Sequence, residues 1–319
     1  MLAVVARPDR AQACSARADG PACMAFAPRP LVDVHVVRQH RKKVRLRFTT
    51  GSLYERTVAR RALWRQGCRA GRTGAHGIVV LDFGRQAYNG HTYGTILFSG
   101  RFASNRSISY ATRAYARGYA RCTPRASHAR ITLARGTSNY GLYVPSPFRA
   151  GRRWARETMR FALYLRRHGL DGRVRAAAAD DVEPAWDRGF HRTHAFFRGF
   201  HSARTGYLLY NYGSLDGGVG HIWTLRQAFY VSGGMRYARA LPEIYYPWMA
   251  RQWAELSRLA VRRYGRPVSF AGLMTQHWRG CRRCGFRPHE ARRALVRELS
   301  RHPRTRLRSF GPLTNIGTA

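Results

Sequence analysis

Residues 173–186 read RVRAAAADDVEPAW. The apolar run does not alternate between a wet and a dry face, so it fits a strand buried on both sides, as in a parallel sheet. It then breaks into carboxylates. Asp180, Asp181, Glu183 and Asp187 fall within eight positions of a 319-residue chain that holds only 16 acids and has a formal net charge of +41. Crowded like charges repel and raise one another's pKa, so such a cluster costs stability unless a site needs it.

Similar apolar runs, each ending in polar or glycine-rich turns, lie on both sides of this one. Upstream are GIVVLDFG (77–84), YGTILFSG (93–100) and ARITLARG (129–136). Downstream are GYLLYNYG (206–213), QAFYVSGG (227–234), LPEIYY (241–246) and PVSFAGLM (267–274). Segments with helical spacing separate them, at 104–121, 149–168, 187–203, 247–264 and 287–299. In the fourth, Trp248, Trp253, Leu256, Leu259 and Ala260 share a face, Pro247 suits the first turn and Gly265 the stop. Eight strands alternating with helices predict an α/β fold of the (β/α)8 TIM-barrel type. The gap between the first two strands is too short for a parallel crossover and predicts one hairpin or irregular unit. A doubly wound sheet would need a glycine-rich phosphate loop after its first strand, and DFGRQAYNG lacks that pattern.

Residues 76–303 are read as the barrel. Residues 1–75 are read as a basic, weakly structured N-terminal extension, and 304–319 as a flexible basic tail. No run approaches the length of a membrane span, and the six apolar residues before Arg7 are too few for the core of a signal peptide. The 57 basic residues include only two lysines, Lys42 and Lys43, and are spread along the whole chain. Nucleic-acid readers instead concentrate charge beside a recognisable module. The segment RQHRKKVRLRF (38–48) keeps phosphate contact open as an alternative.

In a barrel the working face is built at the C-terminal strand ends. Asp82 closes the first predicted strand, Asp181 and Glu183 close the fourth, Asp216 follows the fifth and Glu243 lies in the seventh. Asp181 and Glu183 are two apart, so on an extended strand they project to one side, while Asp180 projects to the other as a structural member. Paired carboxyls suit glycosidic cleavage, where one stays protonated and another ionised. Glu183 is assigned as the general acid, with Asp181 and Asp82 polarising the sugar or positioning water. Tyr210, Asn211, Tyr212, Tyr245, Gln276 and Trp186 are the candidate sugar contacts, with Glu243 among them. A set of ion pairs holding the barrel mouth would account for the same acids.

Asp82 and the DVE of 181–183, at the ends of the first and fourth strands, resemble the acid pattern of glycoside hydrolase-like barrels, in particular the lysozyme-type family 25 muramidases, over roughly 77–280. The muramidases' last strand typically carries a Trp-Gln pair, where this chain has Thr275 and Gln276. The resemblance implies cleavage or recognition of a cell-wall polysaccharide such as peptidoglycan, without a cofactor, by a secreted or wall-associated monomer. A catalytically inactive carbohydrate-binding barrel is the alternative.

Six cysteines, Cys14, Cys23, Cys68, Cys122, Cys281 and Cys284, are compatible with disulfides. His277, Cys281, Cys284 and His289 also offer four zinc-type ligands, although their spacing does not match a standard finger. No nucleophile elbow G-x-S-x-G occurs. His191, His194 and His201 read as a helix face packed among phenylalanines.

Overall fold

The computed structural model describes residues 49–277, 285–307 and 309–318. The elements are β1 (Thr49–Tyr54), α1 (Arg60–Arg72), β2 (Gly77–Tyr88), β3 (Tyr93–Ile96), β4 (Phe102–Ser104), α2 (Asn105–Cys122), β5 (Ile131–Tyr143) and α3 (Pro147–Arg167). They continue with β6 (Val174–Asp181), α4 (His191–Ser202), β7 (Leu209–Asn211), α5 (Leu225–Phe229), β8 (Ala238–Ala240), α6 (Pro247–Tyr264), β9 (Leu273–Thr275), α7 (Pro288–Ser300) and β10 (Leu313–Thr318).

Eight strands run parallel in the order β8-β7-β6-β5-β2-β1-β10-β9. Isolated parallel bridges, Ala240 to Phe270 and Glu243 to Met274, join the two ends of this order. The sheet is therefore a nearly closed parallel barrel in chain order, as the strand and helix alternation predicts. Residues two apart face one way. Ile78 and Val80 join Ala134, Ala177, Ala179, Tyr210, Met274 and Ile316 in one cluster inside the barrel. Val79, Leu81 and Leu133 pack instead with residues of α1 to α4. Among the described residues no helix is long and apolar enough to cross a membrane.

The barrel extends past both expected boundaries. β1 lies within the supposed N-terminal extension and β10 within the supposed tail, and the two pair with each other along their whole length. Neither is an apolar run, because their inward positions carry hydroxyls that bond one another inside the barrel. Ser52 Oγ and Thr314 Oγ1 are 2.7 Å apart, Thr314 Oγ1 donates to the Thr50 carbonyl at 3.1 Å, and the Val80 N–H donates to Ser52 Oγ at 2.8 Å.

Three predicted strands are not barrel strands. Residues 93–96 form the middle of an antiparallel hairpin with β2 and β4, the irregular unit expected between the first two strands. Residues 227–234 are helical: Thr224 and Gln227 form a capping box that starts α5, and a π-turn continues to Gly234. β8 follows later, and 241–246 lies beyond its end. The segment 38–48 and the cysteine pair Cys281 and Cys284 fall outside the described residues.

The helices on the outer face pack in pairs. An added Cβ at Gly67 would stand 2.0 Å from the Tyr115 carbonyl oxygen, and one at Gly118 would stand 2.1 Å from that of Trp64. The backbones of α1 and α2 thus touch through reciprocal glycines, and the Cys68–Cys122 disulfide straps the same seam. α3 and α4 repeat the device with Gly151 and Gly199. Gly118→Ala is expected to destabilise the fold by about 3 kcal/mol, the upper end for overpacking, because the obstacle is backbone rather than a side chain that can turn away. Urea unfolding checks this, and an unchanged midpoint would refute it.

Candidate active site

The carboxylates gather where β1, β2, β6 and the segment after β8 end. Asp82 is paired in register with Tyr54 on β1 and with Gly136 on β5. It continues the inward row of Ile78 and Val80, and its Oδ1 accepts the Gly84 N–H at 2.8 Å. Gly84, at φ 80°, then turns the strand, and the register shift beside it sends the rest of β2 off the barrel as the hairpin. Burial pushes the Asp82 carboxyl up to about 7, against the pull of the Gly84 N–H and the Tyr212 hydroxyl.

Asp181 ends β6 on the inward row of Ala177 and Ala179. It is 6% exposed. Burial is the main cause that raises its pKa well above the ordinary range, followed by the charges of Glu243, Glu183 and Asp82. Glu243 is pushed up to about 8, again mainly by burial.

Glu183 is held by its own backbone. The Asn139 side chain spans it, with Nδ2 donating to the Glu183 carbonyl and Oδ1 accepting its N–H, both at 3.0 Å. Burial raises the Glu183 carboxyl well above its ordinary value, then the charge of Asp216 and a hydrogen bond to it, while the Ser214 hydroxyl pulls the other way. Asp216 is itself fixed. Its Oδ2 accepts the Ala185 N–H at 2.7 Å and its Oδ1 the Ser214 hydroxyl at 3.0 Å. The charge of the positioned Asp216, added to burial, favours the acid form of Glu183.

One oxygen from each of Asp181, Glu183 and Glu243 lies within 4.8 Å of the other two. Among the described residues, no arginine pairs with them: the acids in ion pairs are Glu157 and Glu298. The expectation that arginines hold these acids is therefore not met there. Tyr54 and Tyr245 stand beside the cluster, and burial, then the charges of Glu243 and its neighbours, raises both hydroxyls. Gln276 follows β9 and is buried, with an amide that has no partner among the described residues.

The aromatic candidates divide. Tyr212 lies inside the barrel at the level of Asp82, and its hydroxyl donates to the Thr137 carbonyl at 3.1 Å. Trp186, on the turn Pro184–Asp187, meets Tyr140 edge-on with ring centroids 5.3 Å apart, and Arg85 lies over the same Tyr140. Tyr210 lies a layer deeper, where burial pushes its hydroxyl up to about 12 and Thr132, near the start of β5, is its partner. Asn211 faces away from the interior: its Nδ2 donates to Ser232 Oγ at 3.2 Å and its Oδ1 accepts the Gly213 N–H. Neither Tyr210 nor Asn211 is brought to the mouth.

Asp180 is buried on the opposite face from Asp181, beside Gln86. Asp187 accepts the Thr193 N–H at 2.8 Å in the first turn of α4 and serves that helix. His194 packs between Phe190 and Tyr230.

Tyr54, Asn139, Tyr140 and Asp216 are the additions that the sequence reading left out of the site. Asp216 alone carried a signal, as a scarce acid just past a strand end. No protein-family model matches the chain, and no curated protein matches it.

Proposed function

We propose that the barrel mouth is a glycosidase-type site acting on a bacterial cell-wall polysaccharide such as peptidoglycan. The observation that carries this reading is geometric: the buried carboxyls of Glu183 and Asp181 lie within 4.8 Å of each other at the strand ends, and Asp216, fixed by the Ala185 N–H and the Ser214 hydroxyl, is the charge that acts on Glu183. Glycosidic cleavage needs one group to protonate the leaving oxygen and another to meet the positive charge that develops at the anomeric carbon, and the charge of Asp216, added to burial, favours Glu183 for the first role. Glu183 gives the proton. Asp181 meets the anomeric carbon. Asp82 and Tyr212 line the floor below, and the Tyr140–Trp186 pair offers a face on which a sugar ring stacks.

The short separation supports retention. An inverting pair stands about 6.5–9.5 Å apart to admit a water, whereas a retaining pair is closer, with Asp181 acting as nucleophile. Proton NMR of the first-formed anomer checks this, and an inverted product would reassign Asp181. The Cys68–Cys122 disulfide supports an oxidising compartment and hence a secreted or wall-associated protein.

Reducing-end release from purified peptidoglycan tests the function, with the parent compared to Glu183→Gln. Release by the parent alone is the expected result. Glycan binding without release by either would reduce the protein to a carbohydrate-binding barrel.

A further inference from the structure

We propose that Asp181, Glu183 and Glu243 form the seat for a primary ammonium group, so that the sugar bound at the cleavage point is an amino sugar lacking its N-acetyl group. The inference rests on the glycan reading above and names its substrate class.

Cleavage needs two carboxyls, and this mouth holds a third, Glu243, whose oxygen lies in the same 4.8 Å group. Asp181 Oδ1 and Glu243 Oε1 are buried without a hydrogen-bond partner among the described residues. So are the Tyr54 hydroxyl, which faces Glu243, Asp181, Asp82 and Glu183, and the Gln276 amide. A cage of buried acceptors left open toward one point suits a donor with several N–H groups, and among the described residues no arginine pairs with them.

Geometry admits an ammonium. A tetrahedral nitrogen with charge-assisted bonds of about 2.8 Å sets its acceptor oxygens roughly 4.6 Å apart, and the cage oxygens lie within 4.8 Å of one another. A metal ion draws neighbouring ligand oxygens to roughly 3–3.4 Å and leaves opposite ones roughly 4.2–4.8 Å apart, so the span fits both and the titration below separates them.

The chemistry is also consistent. The C2 nitrogen of an amino sugar neighbours the C1–O bond to be broken, so seating it here places that bond against Glu183. Glu183 keeps its proton toward Asp216 and accepts from the ammonium through its other oxygen. A positive nitrogen beside a developing oxocarbenium ion opposes cleavage; seated against Asp181 and Glu243, which burial otherwise holds in the acid form, it favours release of their protons to solvent, and the carboxylates so formed offset that repulsion. This gives the third carboxyl a role that a neutral acetamido sugar would not require.

Calorimetric titration of the intact protein with the β-1,4 tetramers of glucosamine and of N-acetylglucosamine tests the proposal, at neutral pH, where part of the amine is charged and its binding can ionise the buried carboxyls. The unacetylated tetramer is expected to bind at least about tenfold more tightly, and Glu243→Gln, shown folded by circular dichroism, to lose that preference. Equal or tighter binding of the acetylated tetramer would overturn the ammonium seat and leave the glycan site standing. Binding of neither would remove both readings. Uptake of calcium or magnesium with no response to glucosamine tetramer would assign the cage to a metal and likewise overturn it.

Discussion

Glu183→Gln is expected to lower glycan cleavage by about 10²–10⁴-fold, the contribution typical of a positioned general acid, without unfolding the protein. The substitution keeps the shape of the side chain and removes its proton. Asn139 grips the Glu183 backbone rather than its carboxyl, so the replacement stays in the same frame. The protein should also become no less stable, because a buried carboxyl crowded by Asp216 and Glu243 is exchanged for a neutral amide. Asp216→Asn provides the contrast. It removes the carboxylate that holds the proton on Glu183 but keeps an oxygen for the Ala185 N–H. Its expected effect is a shift of the alkaline limb of the rate profile to lower pH, with a smaller loss at acid pH than Glu183→Gln shows. Unchanged reducing-end release in Glu183→Gln would remove Glu183 from the chemistry. An unmoved alkaline limb in Asp216→Asn would reduce Asp216 to a loop anchor.

What the sequence disclosed follows from which signals are local. β6 was legible because its alanines fill a strand buried on both faces, and strand periodicity then separated Asp181 from Asp180 correctly. The same rule excludes Asn211, which lies between Tyr210 and Tyr212 and so faces the other way. β1 and β10 escaped because Thr50, Ser52 and Thr314 satisfy one another across more than 260 residues, so no apolar run marks them. QAFYVSGG has a strand-like composition, yet the capping box just before it decides for helix. The site partners missed were those set by distant contacts. Asn139 reaches Glu183 across 44 residues and Asp216 reaches Ala185 across 31, and neither spacing leaves a trace in a local window.

Stability is expected to fall as pH rises from about 4.5 to 8, the reverse of a protein whose carboxylates are held in ion pairs. Burial pushes Glu55 from an ordinary 4.5 up to about 8, and Asp82 and Glu243 are raised to about 7 and 8. A carboxyl whose folded value is raised binds its proton more tightly in the folded state. Its stabilisation is complete below the unfolded value and is lost as pH climbs through the folded one. Each such group weakens the fold by roughly a few kcal/mol across this window. Glu157, lowered by Ser109, Arg135 and Arg160, works in the opposite direction but is a single, partly exposed group. Glu55 isolates the effect from catalysis. It is fully buried just past β1, bonded to Gln66 of α1, with Asp82 the charge that raises it further. Glu55→Gln removes the titrating proton and retains an oxygen for the Gln66 amide. Urea unfolding of the parent across this range should show midpoints that decline steadily, and the variant should decline less while keeping the parent's stability at the acid end. A parent midpoint that rises with pH would mean that these carboxyls are ionised and paired in the folded protein, and would remove the acid-form reading of Glu183 along with this prediction.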